Sequence, residues 1–335
     1  MRLLVIGCGG MGEYHIKKFN QLGATVTGAA DLNYSKLKRF KEKYNLKFIC
    51  SDIDKIDDYS DEFDAISIAV LDSLHLFAFE KIAKFKVPVF MEKPLALNLK
   101  EALTYKDYEE SPIMINFSKR NYSGISLLKN LLDDNTLGTL KKCEISYLQN
   151  WTKTCCWGDY HTDSRWNWRL NPKYSCYGVL GDLGSHVIDT LIFLFGDIDF
   201  VSTDEVSFIK EKLFTQIKTN PNFTTCLAQF KHNDIPIEML VSNESDKMDE
   251  YKIKLMFDKG ELVFNNNIDR NQVKLIQNNS QRVFTGDKAD STYSLFTNLV
   301  DKNEKNTVNL NLGIRVQRLL EKVVEDAFDR GCYLC

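Results

Sequence analysis

Proline is scarce in this sequence, at 6 of 335 residues, and glycine is modest at 17. A chain so poor in both lacks the Pro/Gly/Ser bias of a disordered protein. With 44% hydrophobic and 27% charged residues it is expected to be compact throughout. Long apolar runs are missing as well: Val187 to Phe195 is broken by Asp189 and falls short of the ~18 to 20 residues that span a bilayer. No transmembrane helix and no membrane partner are expected. Neither sign of charge prevails, because 43 Lys+Arg against 46 Asp+Glu leave −3. Without a global positive field, nucleic acid is not an expected partner. The apolar stretch Leu3 to Ile6 is too short for a secretory signal, and the expectation is a cytoplasmic protein. Nine cysteines, an odd number without framework spacing, suit reduced thiols.

What is present is length for roughly two domains. To about residue 116 the chain alternates short apolar, β-branched runs with longer amphipathic segments, the rhythm of parallel strands joined by crossover helices. Strands are expected at Arg2 to Ile6, Thr25 to Ala30, Ala65 to Val70, Val87 to Met91 and Ile113 to Phe117. Helices are expected at about 10–21, 33–44, 73–85 and 98–109. Later segments read as a helix near 121–133, a strand from Lys142 to Gln149, a helix at 182–195, several alternating strands between Cys226 and Phe264, and a closing helix from Asn309 to Phe328. The expectation is therefore an α/β protein with two parts. Residues 1–117 form a doubly wound parallel sheet, and residues 118–335 form an α+β domain with a largely antiparallel open sheet.

Gly7, Gly9 and Gly12 form G-x-G-x-x-G between the first strand and the first helix. The first glycine permits a tight turn, the second lets the backbone approach a pyrophosphate, and the third lets helix and strand pack closely. The helix N-terminus adds partial positive charge and unpaired N–H groups. Asp31 closes the second strand, where a carboxylate accepts hydrogen bonds from a ribose 2′-hydroxyl and repels a 2′-phosphate. Leu32 and Asn33 supply no cation beside it, so NAD is favoured over NADP.

Glu92, Lys93 and Pro94 follow the fourth expected strand at the carboxyl edge of the sheet, where open α/β folds bind ligands. Taken alone, such a turn is a surface feature with a solvated ammonium; its position puts a lysine beside a nicotinamide. In Gly181-Asp-Leu-Gly-Ser-His-Val-Ile-Asp189, residues Asp182 and His186 are four apart and share a helix face, with Asp189 on the same polar stripe. Leu183, Val187, Leu191 and Leu194 point to a core. An imidazole can take a hydroxyl proton, and a carboxylate in the first turn can orient it or its substrate.

Val5-Ile-Gly-Cys-Gly-Gly-Met-Gly12 with His15, Met91-Glu-Lys-Pro-Leu-Ala96 and the Gly181 to Asp189 segment together resemble the glucose-fructose oxidoreductase and inositol dehydrogenase family, Gfo/Idh/MocA. Asn116 to Tyr122 and the helix from Leu312 to Ala327 extend the resemblance over essentially the whole chain. It implies a Rossmann domain followed by an α/β domain with an open sheet, and NAD(P)-dependent oxidation or reduction of sugars and cyclitols. It also implies a Lys, Asp, His catalytic set at Lys93, Asp182 and His186. Cofactor-binding residues are then expected at Gly7, Gly9, Met11, Gly12, Asp31, His75, Glu92 and Asn116. Two departures are visible. Cys176 and Tyr177 precede Gly178 where the family has a glycine cluster, and Val70 and Leu71 stand where a Thr-Pro pair is common.

All four tryptophans lie between Trp151 and Trp168, interleaved with Tyr160, His161, Arg165 and Arg169. Such rings cover the C–H face of a sugar or pack an interface. Substrate contacts are expected from Tyr122, Trp166, Trp168 and Arg169. A neutral sugar or cyclitol is preferred because few cations are placed near the site, with Arg165 and Arg169 keeping a carboxylated sugar open. Cys332 and Cys335 resemble half of a metal site without a second pair at zinc spacing, so no metal is expected. The leading reading is NAD-dependent oxidation of a secondary hydroxyl. The alternatives are an NAD-dependent glycosidase of the same family and a non-catalytic dinucleotide-binding regulator. A homodimer or homotetramer built on the second domain's sheet is expected.

Overall fold

The computed structural model describes all residues except 109–110, 135, 160–161, 164–165, 209–221, 303 and 332–335. Tyr160, His161, Arg165, Cys332 and Cys335 therefore lie outside the described residues. The chain divides into two compact units, one comprising 1–116 and 290–317, the other 117–289 and 318–335.

The first unit holds six strands: β1 (Arg2–Ile6), β2 (Thr25–Ala30), β3 (Phe48–Cys50), β4 (Ala65–Ile68), β5 (Val89–Met91) and β6 (Ile113–Ile115). All pair in parallel, in the order β3-β2-β1-β4-β5-β6. The reversal of direction between β1 and β4 creates the crevice at which doubly wound sheets bind dinucleotides. Leu3, Leu4, Val5, Ile66, Val89 and Phe90 are fully buried, as expected for strands covered on both faces. The crossover helices include α1 (Gly10–Gln21), α2 (Tyr34–Tyr44), α3 (His75–Ile82) and α4 (Leu99–Thr104). β3 was not expected from the sequence, since three residues are too few for a period to register.

The sequence-based division at 117/118 gave all of 118–335 to the second part, yet residues 290–317 return to the first unit. The cause is aromatic packing and edge pairing. In this unit Tyr293 and Phe296, on the helix Thr292–Lys302, pack against Phe19 and Phe90. Ile115 N–H donates to Val308 at 2.9 Å, and the Asn306 amide donates to the Ile113 carbonyl at 2.7 Å, covering β6.

The second unit holds an eight-stranded sheet: β7 (Leu140–Gln149), β8 (Asp199–Phe208), β9 (Phe223–His232), β10 (Ile235–Ser242), β11 (Asp249–Phe257), β12 (Gly260–Asn265), β13 (Gln272–Gln277) and β14 (Ser280–Thr285). Its order is β14-β13-β12-β11-β7-β10-β9-β8, antiparallel except where β7 meets β10. The helices Ser123–Asp133 (α5) and Ser185–Phe195 (α7) pack on one face. Cys143, Ile145 and Tyr147 of β7 turn inward to them, while Lys142 and Glu144 turn outward and pair at 2.8 Å. α6 (Trp151–Thr154) is a short helix, α8 is the Thr292–Lys302 helix of the first unit, and α9 (Leu310–Asp329) passes from the first unit into the second. Among the described residues no helix is long and apolar enough to cross a membrane.

Candidate functional site

In the first unit the glycine loop follows β1 as the motif requires. Gly7 has φ of +102°, and a Cβ there would lie 2.4 Å from the Ala69 carbonyl oxygen at the end of β4. A Cβ on Gly12 would lie 1.8 Å from the Gly7 carbonyl oxygen, so the third glycine lets α1 close on the turn itself. Gly9 and Gly10 differ: nothing lies within 4 Å of a Cβ on either. Their exposed backbone at the start of α1 is the open cradle that a pyrophosphate fills. Met11 is exposed at its rim.

Asp31 stands at the end of β2 and ties the loop to it, its Oδ2 accepting from Cys8 N–H at 2.7 Å and its Oδ1 from Asn33 N–H at 2.8 Å. Each oxygen retains a lone pair for a ribose hydroxyl. Burial, with Asp31 beside it, pushes the Cys8 thiol up to about 12, so that sulfur is inert. The donor set of this cradle fits a dinucleotide.

The turn after β5 rests on a buried polar chain that the sequence did not reveal. His15, fully buried on α1, places Nδ1 2.7 Å from Ser67 Oγ and Nε2 2.8 Å from Glu92 Oε1. Glu92 Oε1 also accepts from the Asn116 amide at 2.6 Å, and Glu92 Oε2 accepts from Lys93 N–H at 3.3 Å. Asn116 in turn accepts from Thr292 Oγ1 at 2.6 Å. Burial alone would raise the Glu92 carboxyl, but the His15 bond and charge, the Asn116 bond and Lys93 together hold it below its usual value. The Lys93–Pro94 bond is cis. Lys93 itself is half-buried.

Three residues expected to bind the cofactor are buried in the first unit. Glu92 and Asn116 are buried inside that chain. His75 has no exposed surface, and its Nδ1 lies 2.9 Å from the Pro94 carbonyl oxygen. That contact ties it to the lysine turn, while its Nε2 has no hydrogen-bond partner among the described residues.

In the second unit a π-helical turn (Leu180–Gly184) leads into α7, and Asp182 sits on that turn with His186 in the first turn of the α-helix. Such π turns recur at functional sites. Gly181 is required, because a Cβ there would lie 1.9 Å from the Cys176 carbonyl oxygen. Asp182 Oδ2 is 3.7 Å from Arg169 Nε. The Arg169 guanidinium lies over the rings of Trp168 and Trp166, at 4.5 and 5.1 Å from their centroids. The His186 ring packs 6.3 Å from Phe117 and 6.4 Å from Tyr147, and its carbonyl accepts from the Tyr251 hydroxyl at 3.4 Å.

Asp189 does not share the stripe's environment as expected. On the buried side of α7 it has no exposed surface and is paired with Arg120 at 2.7 Å. Burial pushes its carboxyl up to about 6, and Arg120 offsets this only in part. The tryptophans are mostly a packed stack: Trp151 is buried against Trp157 at 5.8 Å, and Trp157 meets Trp166 at 5.3 Å. Cys176 and Tyr177 are buried too, with the Tyr177 hydroxyl donating to Glu321, so this departure from the family pattern lines no open surface. Tyr122 is half-exposed between Lys119, whose Nζ lies 2.9 Å from its hydroxyl, and Arg270. A weak signal for Lys119 lay in the sequence, in its place before Arg120 and within the Asn116 to Tyr122 segment.

Comparison with known proteins agrees with this anatomy. Residues 1–112 match the model of the oxidoreductase family with an NAD-binding Rossmann fold, GFO/IDH/MocA, and residues 125–263 match the C-terminal domain of the same family. Glucose-6-phosphate 3-dehydrogenase of Bacillus subtilis is 27% identical over 222 residues, 64% of this chain and 58% of that protein. Inositol 2-dehydrogenase of Gluconacetobacter diazotrophicus is 27% identical over 60% of this chain and 56% of its own length. The chain thus spans little more than half of these curated relatives. Among solved structures, a levoglucosan dehydrogenase in complex with NADH superposes with a TM-score of 0.83 at 18% identity, covering 98% of this chain and 97% of that one. An inositol dehydrogenase homolog from Azotobacter vinelandii, complexed with NAD+, gives 0.83 at 15% identity over 99% and 96%. At such identities the likeness is one of fold. With both domain models matched in order, the chain belongs to the GFO/IDH/MocA oxidoreductase family and carries its NAD-binding Rossmann fold.

Proposed function

We propose that this protein is an NAD-dependent dehydrogenase that oxidises a secondary hydroxyl of a sugar, sugar derivative or cyclitol. The observation that carries the reading is the open cradle at Gly9 and Gly10 with Asp31 beside it, in a chain that also retains Lys93, Asp182 and His186. Relatives named for glucose 6-phosphate and inositol support the substrate class.

NAD, when bound, accepts a hydride from the carbinol carbon. The chain's own residues do the rest. The backbone at Gly9 and Gly10 holds the pyrophosphate, and Asp31 takes the ribose hydroxyls and disfavours a 2′-phosphate. His186 removes the hydroxyl proton through its imidazole, and Lys93 stabilises the negative charge that grows on that oxygen. Asp182, steadied by Arg169, orients the substrate. Glu92, locked by His15 and Asn116, fixes the backbone from which Lys93 extends.

The test is a screen of monosaccharides, anhydrosugars, cyclitols, sugar acids, sugar phosphates and glycosides with NAD, following NADH absorbance and glycoside cleavage separately. NADH formation with a polyol supports the reading. Glycoside cleavage without net NADH, or reaction confined to amino acids or 2-oxo acids, overturns it.

A further inference from the structure

Lys119 is an unusual cation. Its ammonium lies 2.9 Å from the Tyr122 hydroxyl, 5.2 Å from the Tyr122 ring centroid and 4.9 Å from that of Tyr147. Among the described residues no carboxylate pairs with it. Arg270, exposed on the loop before β13, lies 5.2 Å from the same Tyr122 ring and has no carboxylate partner among the described residues either. Some cations of this unit do have carboxylate partners, Lys142 with Glu144, Lys254 with Glu261 and Arg120 with Asp189.

Two cations gathered around one phenol repel each other, and their attraction to the ring faces repays this only in part. A dianion or carboxylate beside them gains charge-assisted hydrogen bonds from both, with the Tyr122 hydroxyl between. The position also fits a substrate. The Tyr147 ring centroid lies 4.9 Å from Lys119 Nζ and 6.4 Å from the His186 ring centroid. Its buried phenol also lies in the field of Asp249 and Asp182. One aromatic side chain therefore neighbours both the lysine and the proposed proton acceptor.

We propose that Lys119 and Arg270 bind an anionic group, phosphate or carboxylate, carried by the sugar whose hydroxyl is oxidised. The inference rests on the proposed dehydrogenase reading and replaces the sequence-based preference for a neutral sugar.

The test compares kcat/KM for hexoses, their 6-phosphates and the corresponding hexuronic acids with NAD. It uses the unaltered protein, Lys119→Met, Lys119→Arg and the surface variant Arg270→Ser. The unaltered enzyme is expected to prefer one anionic series over the neutral hexose at least tenfold. Lys119→Met should cut that preference tenfold or more, Arg270→Ser severalfold, and Lys119→Arg should restore most of it. The two anionic arms tell phosphate from carboxylate. An enzyme that prefers neutral hexoses, or a Lys119→Met variant that loses neutral and anionic substrates in equal measure, overturns the proposal.

If no sugar reacts at all, the dehydrogenase reading fails, and binding decides this inference separately. Quenching of tryptophan fluorescence by glucose 6-phosphate that disappears in both Lys119→Met and Arg270→Ser supports it. Absence of binding by the unaltered protein refutes it.

Discussion

Replacing Glu92 tests whether the lysine turn is held by a buried charge. Its side chain is 9% exposed and accepts from His15 Nε2 at 2.8 Å and from the Asn116 amide at 2.6 Å. Glu92→Leu strands both donors, and each buried unsatisfied group costs about 1–3 kcal/mol. The total of about 3–5 kcal/mol agrees with the usual effect of breaking a buried pair. Glu92→Gln retains an acceptor oxygen and should cost less than Glu92→Leu, about 1–2 kcal/mol. The sign with pH follows from linkage. The Glu92 carboxyl is held below its usual 4.5, so its contribution is complete above that value and is lost as pH falls through the lower folded value. The difference between the unaltered protein and Glu92→Leu should therefore be full at neutral pH and shrink in acid. Urea denaturation across that range reads it as a shift in midpoint at constant slope. A Glu92→Leu cost under about 1 kcal/mol, or a difference that does not change with pH, would refute the account of the network.

Arg120→Met should cost about 3–5 kcal/mol, and adding Asp189→Leu should return most of it, since a buried carboxylate without its partner is worse than a packed apolar pair; additive costs in a thermal denaturation series would count against this. Because the Asp189 carboxyl already lies at about 6, above its usual 3.8, the single variant should lose stability as pH rises towards and through that value. Asp31→Ala should weaken NAD binding at least tenfold and NADP binding less, because the side chain both meets the ribose and anchors Cys8 N–H; tighter NADP binding by the unaltered protein in a fluorescence titration would reverse the assignment. Lys93→Ala and His186→Ala should each lower kcat by about 100-fold or more while the NAD dissociation constant stays within about threefold; a variant with full turnover shows that its residue was given the wrong role. Sedimentation at micromolar concentration should give a dimer or tetramer, and a monomer would remove the proposed oligomer.

Much of the first unit follows from local sequence. Apolar β-branched runs buried on both faces, glycines at three defined offsets and an acid at the end of the second strand are short-range signals. The structure places them in the order they imply. The helical stretch that carries Asp182 and His186 was legible for the same reason, although the π turn under Asp182 was not. Contacts remote in the chain were decided only by the tertiary structure. His15 meets Glu92 across 77 residues, Asn116 meets Thr292 across 176, and Arg120 meets Asp189 across 69. No periodicity carries such pairings, because they depend on which strands lie side by side. For the same reason the sequence reading put Asp189 on a polar face and assigned 290–317 to the second part. A hydrophilic residue at helical spacing looks alike whether it meets solvent or a buried arginine, and only the packed neighbours distinguish the two.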